Sequence, residues 1–396
     1  MADDTTIPVV VSAVRTPIGR YLGGLASVSA PALGAVAVRE AVRRAGVPPE
    51  AIDEVIMGHV LQGGTGQAPA RQAAIHAGVP GTVPALTVNK VCGSGLKAVM
   101  LAAQAIRAGD AHCIVAGGME SMSNAPHYLR GLRTGIKAGD SAVVDGAIHD
   151  GLWDSFGDVH MGSLAEYTAR KAGISRDAQD RLAFESHQKA VAAMTACRFE
   201  AETVAVAVTG KTGDLVVRRD EGPRADTSLE ALARLRPVFQ DGGTVTAGNA
   251  PGLSDGASAL VVASLAFARS HGIAPLARIT GYVASGGDPQ DLFFAPISAV
   301  GALLAKTRTT LADYDLIEAN EAFAAQMLAD GRALGWDWDR VNVNGGAIAL
   351  GHPIGASGAR ILTTLLYALR DRQRTAGLAT LCLGGGNAVA VGVELV

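Results

Sequence analysis

The chain is poor in aromatic residues, which make up 4% of its 396 residues, and it contains only four cysteines. The cysteines, at positions 92, 113, 197 and 382, form no CxxC pair and have no clustered histidine partners. This pattern excludes a secreted disulfide framework and argues against a zinc site. We therefore expect no bound metal.

The chain also lacks an excess of either charge, with 34 Lys and Arg against 37 Asp and Glu. A net charge of −3 offers no general attraction to nucleic acid or anionic lipid. The N-terminal segment is acidic where a signal peptide is basic, and Pro8 interrupts its short apolar run. No uncharged apolar stretch is as long as a membrane span. We expect a cytoplasmic protein with neither nucleic acid nor membrane as a partner.

Hydrophobic residues are abundant at 48%, and short β-branched runs alternate with Ala- and Leu-rich stretches. Such alternation predicts layered α/β structure. The length predicts roughly two to three domains or one duplicated unit. The predicted strands are Pro8–Ala13, Glu54–Met57, Cys113–Ala116, Ala259–Ala263, Leu316–Glu318 and Ala379–Leu383, and the predicted helices include Leu96–Ala108 and Arg360–Arg370.

Two parts of the chain share one order of features. In the first, Asp53 starts a strand, and Cys92-Gly-Ser-Gly later opens an apolar helix before a strand that ends in Gly117 and Gly118. In the second, Asp315 starts a strand, and His352-Pro-Ile-Gly later opens an apolar helix before a strand that ends in three glycines. We infer a duplicated α/β domain with one reactive side chain in each copy.

The residues between the two copies, about 124–249, differ from them in composition and in predicted secondary structure. Charged residues and prolines are more frequent there, and helical patterns over Gly162–Lys171 and Asp177–Thr195 replace the alternation. The stretch Lys211–Pro237 is predicted to be rich in loops and carries five arginines, among them Arg224. We interpret the region as an insertion that covers the site, with a solvated basic face as the alternative.

Cys92 lies between an apolar run and the small residues that open a helix. A helix N-terminus stabilises a thiolate, and Gly93 and Gly95 allow a substrate carbonyl to approach the backbone. The residue is therefore a candidate nucleophile, and a buried structural cysteine is the alternative. Cys113 and Cys197 are predicted to be ordinary packing residues.

His352 and Cys382 adjoin the glycine-rich turns of the second copy. A histidine before proline at such a turn is a candidate base that faces a cleft, although a core histidine is the alternative. Cys382 in a strand is by itself a packing residue, but the glycines that follow it offer free N–H groups for an oxyanion. His160 and Glu321 are by themselves predicted to be structural.

Nucleotide-binding patterns are incomplete. The glycines from Gly384 lack the acidic residue that a dinucleotide site requires further along, and Gly64-Thr-Gly66 lacks a third glycine. There is no GxxxxGK[ST] motif. Dinucleotide and ATP chemistry are therefore disfavoured.

Six segments together resemble the thiolase family, in particular its acetyl-CoA acetyltransferases. They occur in the family's order over nearly the whole chain and are Asn89–Lys97, Val115–Ser123, Thr246–Ala250, Glu318–Ala324, Asn342–Gly358 and Cys382–Gly386. The resemblance implies a duplicated thiolase fold, a five-layered αβαβα sandwich with an inserted loop domain. The implied units are 1–123 plus 250–274, 124–249 and 275–396.

The resemblance also implies roles for individual residues. Cys92 would form the acyl-enzyme, His352 would activate that thiol, and Cys382 would act as acid and base on the α-carbon. Asn320 would hold a water of an oxyanion hole, and the Gly384 N–H would join that of Cys92 in another. Residues implied near the pantetheine or nucleotide of CoA are His160, Met161, Arg224, Ala322 and Phe323.

The implied activity is acyl transfer without a permanently bound cofactor. Two acetyl-CoA would condense to acetoacetyl-CoA and CoA through S-acetyl-cysteine, a step of lipid metabolism, in a homodimer or homotetramer. A degradative 3-ketoacyl-CoA thiolase for longer or branched chains is the alternative. A non-catalytic CoA-binding protein is disfavoured because all three reactive residues are present. A ketoacyl-carrier-protein synthase is disfavoured because that relative usually has Cys-His-His or Cys-His-Asn, whereas this chain supplies Cys382.

Some positions depart from the family's pattern. Pro251 stands where Ser is common, Ser254 where Asn is common, and Asn387-Ala388 where Gln-Gly or Met-Gly is usual. Phe293 and Phe294 occupy a segment that is often Met-Gly-Thr-Gly in short-chain bacterial members. We expect acyl-chain selectivity to differ there.

Overall fold

The computed structural model describes residues 3–210 and 213–396. A ten-stranded mixed sheet with helices on its faces forms the body of the protein. The strands are β1 Pro8–Arg15, β2 Gly19–Arg20, β3 Glu54–Gly58, β4 Ala85–Val88, β5 Cys113–Ser121, β6 His127–Leu129, β7 Val143–Asp145, β8 Trp153–Asp154, β9 Val159–His160, β10 Val206–Gly210, β11 Gly213–Val217, β12 Ser254–Ser264, β13 Ala277–Gly286, β14 Leu316–Ala319, β15 Ala376–Leu383 and β16 Asn387–Leu395. The helices are α1 Ala30–Ala45, α2 Pro69–Ala77, α3 Ser94–Ala108, α4 Gly146–Gly151, α5 Met161–Ala172, α6 Arg176–Thr195, α7 Leu229–Ala233, α8 Leu265–Ser270, α9 Ala295–Thr307, α10 Ala324–Leu334, α11 Ala347–Leu350 and α12 Ile354–Asp371.

The sheet consists of two similar halves joined at one seam. Nine of its strands run in the order β14-β15-β16-β13-β1-β12-β5-β3-β4, and the tenth, β2, pairs with β12. The halves meet where β1 pairs with β13 over only two residues. Each half ends in a parallel pair, β3 with β4 and β14 with β15. The repeated order of the sequence therefore corresponds to a repeated strand arrangement.

Five layers follow from where the helices pack. Helices α3 and α12 contact each other and the strands of both halves, which makes them the central layer, and their apolar side chains form the largest core. Helices α1 and α2 cover the outer face of the first half, and α9 covers that of the second. The predicted αβαβα sandwich is confirmed.

The predicted strands and helices are confirmed, with longer strands than expected. Strand β5 continues through Gly117 and Gly118 to Ser121, because these glycines let the backbone pack closely. A Cβ on Gly117 would lie 2.1 Å from the Ser258 carbonyl oxygen, and one on Gly118 would lie 2.0 Å from that of Gly355. The sequence-based boundaries stop at these glycines because β-branched residues stop there.

The middle of the chain is only partly as predicted. Helices α5 and α6 are confirmed, but three two-stranded sheets, β6-β7, β8-β9 and β10-β11, lie between residues 124 and 249 as well. The stretch predicted to be rich in loops contains β11 and α7, while Lys211 and residue 212 lie outside the described residues. The domain limits given above stay a prediction. None of the helices in the described ranges is long and apolar enough to cross a membrane.

Candidate active site

The candidate site lies where strands of both halves end. Cys92 follows β4, Asn320 follows β14, and Cys382 is the last residue but one of β15. These three strands belong to the parallel pairs of the two halves, and the carboxyl ends of parallel strands are where α/β folds usually bind ligands. His352 joins them from the turn that precedes α12.

The turn that carries Cys92 is tight. Val91 has a φ of 46°, a backbone conformation that is rare for a β-branched residue. Ser94 Oγ holds the turn by accepting from the Lys90 N–H at 2.8 Å and donating to the Val91 carbonyl at 2.6 Å. Gly93 is required because a Cβ there would lie 2.2 Å from Leu383 Cδ2. The constraint at Gly93 is therefore packing between the two halves.

Burial opposes the thiolate that the helix N-terminus favours at Cys92. Burial, with a smaller contribution from the charge of Glu120, raises its pKa to about 11. Hydrogen bonds from the backbone N–H groups of Gly384 and of Cys92 itself offset only part of this effect. The thiol therefore needs a base, and the two N–H groups form a pair of donors at the sulfur.

His352 is the base that the geometry offers. Its pKa falls to about 3, because burial and the positive charge of Arg360 disfavour the imidazolium. Ser357 Oγ lies 2.6 Å from Nδ1, and Asn320 Nδ2 lies 3.5 Å from Nε2. Ser254 Oγ accepts from the His352 backbone N–H at 3.1 Å. The ring is thus neutral near pH 7 and held on both sides.

Cys382 is fully buried next to the same space. Burial raises its pKa well above the usual thiol value, and Cys92 and Asp330 act in the same direction. The side chain is therefore protonated at rest and suited to giving and taking a proton at a fixed place. It belongs to a small apolar cluster with Phe293, Ala322 and Phe323.

A cavity of about 280 Å³ joins these groups. Its walls are mostly apolar, and Cys92, His352, Cys382 and Gly384 all line it. Asn320 is not among the lining residues and reaches the site through His352; its Oδ1 is buried without a hydrogen-bond partner among the described residues.

Most of the residues predicted near CoA line this cavity too. They are His160, Met161, Ala322 and Phe323. Pro251, which stands where the family commonly has Ser, lines it as well. His160 also accepts from the Gly162 N–H at 3.0 Å and so caps α5, as its structural reading predicted. Glu321 is structural too, but not because it lies near a helix N-terminus. Its buried carboxylate accepts hydrogen bonds from Ser186, Asn342 and the Ile348 N–H.

Arg224 lies apart from these residues, in a second cavity of about 560 Å³. Arg20 and Asp226 line this cavity as well. Burial and, after it, the charges of Arg224 and Arg20 lower the pKa of His187 to about 4, although the charge of Asp226 opposes this. The two cavities share the lining residues Ala250, Gly252 and Leu253. A cationic space therefore adjoins the apolar one.

Three contributors were missed from the sequence. Ser357 was part of a quoted motif but had no assigned role, although its place one helical turn beyond His352 was a usable signal. Phe239 stacks on His160 at 4.7 Å between ring centroids and lines the cavity, and no local pattern indicates this. Ser254 was noted only as a departure.

Two further predictions for cysteines have different outcomes. Cys113 is buried in the first half, as expected for a packing residue. Cys197 is exposed and has a φ of 55°, so the prediction of a packing role is wrong. Among the described residues, no group of three or more His, Cys, Asp or Glu could hold a metal ion.

Comparison with known proteins gives one consistent answer. The model of the thiolase N-terminal domain matches residues 8–266, and that of the C-terminal domain matches residues 273–395. The acetyl-CoA acetyltransferase of Cupriavidus necator is 54% identical over 98% of both chains, and that of Pseudomonas aeruginosa is 54% identical over 97% of this chain and 98% of its own. The crystal structure of the Bacillus anthracis acetyl-CoA acetyltransferase matches with a TM-score of 0.97 and 41% identity, covering 98% of this chain and 99% of that one. The chain belongs to the thiolase family.

Proposed function

We propose that this protein is an acetyl-CoA acetyltransferase that reversibly condenses two acetyl-CoA to acetoacetyl-CoA and CoA. The observation that carries the proposal is one apolar cavity lined by Cys92, His352, Cys382 and the Gly384 backbone. Full-length relatives named acetyl-CoA acetyltransferase support the choice of acyl group.

The first half-reaction transfers acetyl to Cys92. The His352 imidazole takes the Cys92 proton, the sulfur attacks the thioester carbonyl, and the bond from that carbon to the CoA sulfur breaks. The CoA leaves as a thiol with the proton held by His352. The N–H groups of Cys92 and Gly384, which already point at the sulfur, suit the oxyanion of this step.

The second half-reaction forms the carbon–carbon bond. Neutral His352 takes the proton of Cys382, and the resulting Cys382 thiolate removes a proton from the α-carbon of a second acetyl-CoA. The carbanion attacks the acetyl carbon, and the Cys92 sulfur leaves and takes the proton that His352 holds. His352 lines the cavity and is suited to the second thioester oxygen, while Asn320, whose Nδ2 lies 3.5 Å from Nε2 outside the cavity wall, would reach that oxygen only through a water. The high pKa of Cys382 makes its thiolate a strong base once formed.

The two cavities suit the two ends of a CoA thioester. The pantetheine would pass His160, Met161, Ala322 and Phe323, while the phosphates would lie in the cavity that holds Arg20 and Arg224. Opposite charges attract, and Arg is well suited to phosphate. CoA thioesters are substrates here, and no permanently bound cofactor is involved.

Mass spectrometry after incubation with acetyl-CoA tests the assignment. Wild type and Cys197→Ala should both carry one acetyl group and turn over, because Cys197 lies outside the site. Cys382→Ala should accumulate the acetyl-enzyme and fail to condense, while Cys92→Ala should gain no acetyl mass. An acetyl group on Cys92→Ala would refute the assignment.

The degradative thiolase remains the alternative, and rates across 3-ketoacyl-CoA lengths separate it from the proposal. A strong preference for chains beyond four carbons would favour degradation. We also propose a homodimer or homotetramer and a cytoplasmic location. Light scattering of the purified protein checks the first, and fractionation of cells the second.

A further inference from the structure

Phe293 forms part of the wall of the catalytic cavity. It lies in the short 3₁₀ helix Pro289–Phe294 and is 2% exposed. Its ring packs edge-on against Phe323, with 5.3 Å between centroids and 71° between planes. The same apolar cluster contains Cys382. A bulky, fixed ring therefore borders the space next to the second cysteine.

The position of this ring relative to the entry of CoA matters. The cationic cavity adjoins the catalytic one at Ala250, Gly252 and Leu253, and Phe293 lines only the catalytic cavity. A thioester that arrives from the cationic side and reaches Cys92 and Cys382 directs its acyl chain away from that side. Phe293 then meets the acyl carbons beyond the reacting ones.

The turn that carries Phe293 is anchored from outside. Lys171 Nζ binds Asp291 at 2.6 and 2.7 Å and lies 5.3 Å from the centroid of the Phe294 ring. Phe294 is half-buried and does not line the cavity. Of these two adjacent phenylalanines, only Phe293 lines the cavity.

We propose that Phe293 is a specificity-determining residue that restricts the enzyme to short acyl groups. The proposal rests on the proposed function and names its substrate class. Its ring occupies the volume that carbons beyond a four-carbon 3-ketoacyl chain would need. A longer chain must displace a side chain that Phe323 and the core hold in place.

The test compares thiolysis of 3-ketoacyl-CoA substrates with four, six and eight carbons. For Phe293→Ala, the ratio of kcat/KM for the eight-carbon to the four-carbon substrate should rise at least about tenfold over wild type, because even one methylene in an apolar pocket changes selectivity by that much. Phe293→Leu should give a smaller rise. Phe294→Ala is the matched control and should keep the wild-type ratio.

The outcomes separate the two proposals. A wild-type protein without activity on acetoacetyl-CoA would refute the proposed function. Activity on acetoacetyl-CoA with a folded Phe293→Ala that keeps the wild-type length profile would refute the role of Phe293 alone. If Phe293→Ala fails to fold, Phe293→Leu decides, and an unchanged ratio in it overturns the proposal.

Discussion

His352 Nδ1 lies 2.6 Å from Ser357 Oγ, and this contact sets which ring nitrogen carries the proton. Ser357 donates its single hydroxyl proton to the Pro353 carbonyl at 3.0 Å, so its oxygen accepts from Nδ1–H. The lone pair of Nε2 therefore faces the side of Asn320. A residue that never lines the cavity thus prepares His352 to accept a proton.

Ser357→Ala should slow acylation without unfolding the protein. Loss of the hydrogen bond leaves both tautomers accessible, and we expect the acylation rate to fall about tenfold or more, a part of what a general base contributes. Rapid-quench mass spectrometry measures this rate. Ser298→Ala is the control, since Ser298 also donates to a helix carbonyl, that of Ala295 at 2.9 Å, away from the cavity. Wild-type acylation in Ser357→Ala would contradict the tautomer argument.

Alkylation of Cys92 by iodoacetamide should rise with pH to beyond pH 9. Only the thiolate reacts, and with a pKa of about 11 its fraction grows about tenfold per pH unit below that value. The experiment uses Cys197→Ala so that the exposed cysteine does not contribute. Quantifying the modified peptide gives the profile. A plateau near pH 7 would show instead that the helix N-terminus outweighs burial.

Glu318 and Arg360 form a buried pair, with Oε2 and Nη1 3.6 Å apart. Neither carboxyl oxygen of Glu318 has a hydrogen-bond partner among the described residues. Burial raises the pKa of Glu318 to about 8 although the charge of Arg360 opposes this. Burial therefore favours the protonated carboxyl, which Glu318→Gln imitates.

Stability against pH tests this protonation. Between the ordinary pKa of 4.5 and about 8, folded Glu318 holds a proton that the unfolded chain lacks, so the free energy of unfolding falls as pH rises. The Glu318→Gln side chain does not titrate. The free energy of unfolding of this variant should therefore rise relative to that of wild type by up to about 1.4 kcal/mol per pH unit within that window. Urea unfolding at pH 5, 6.5 and 8 measures the difference. If Glu318→Gln is instead less stable than wild type, and most so at pH 8, Glu318 is ionised and paired with Arg360.

Local patterns in the sequence predicted the elements but not the contacts between them. The β-branched runs predicted the central residues of the strands, and the turns predicted Cys92, His352 and Cys382. The helix N-terminus predicted a thiolate at Cys92, whereas burial raises the pKa of this thiol, and burial depends on the whole fold, which one helix terminus does not reveal. The stacking of Phe239 on His160 joins residues far apart in the chain, so no periodicity indicates it.

Two glycines in different surroundings should respond to alanine in opposite ways. Gly118 follows the predicted strand Cys113–Ala116 of the first half. A Cβ there would lie 2.0 Å from the carbonyl oxygen of Gly355, at the start of α12. Relief would require moving a backbone segment that also carries His352, so Gly118→Ala should cost several kcal/mol, about 3 or more, and reduce activity. Gly301 lies within α9, where a Cβ would meet no atom of the surrounding structure within 4 Å, and Gly301→Ala should raise stability by about 0.5–1 kcal/mol with full activity. Chemical unfolding together with acetoacetyl-CoA thiolysis checks both, and a stable, fully active Gly118→Ala would show that the two halves tolerate separation at this contact.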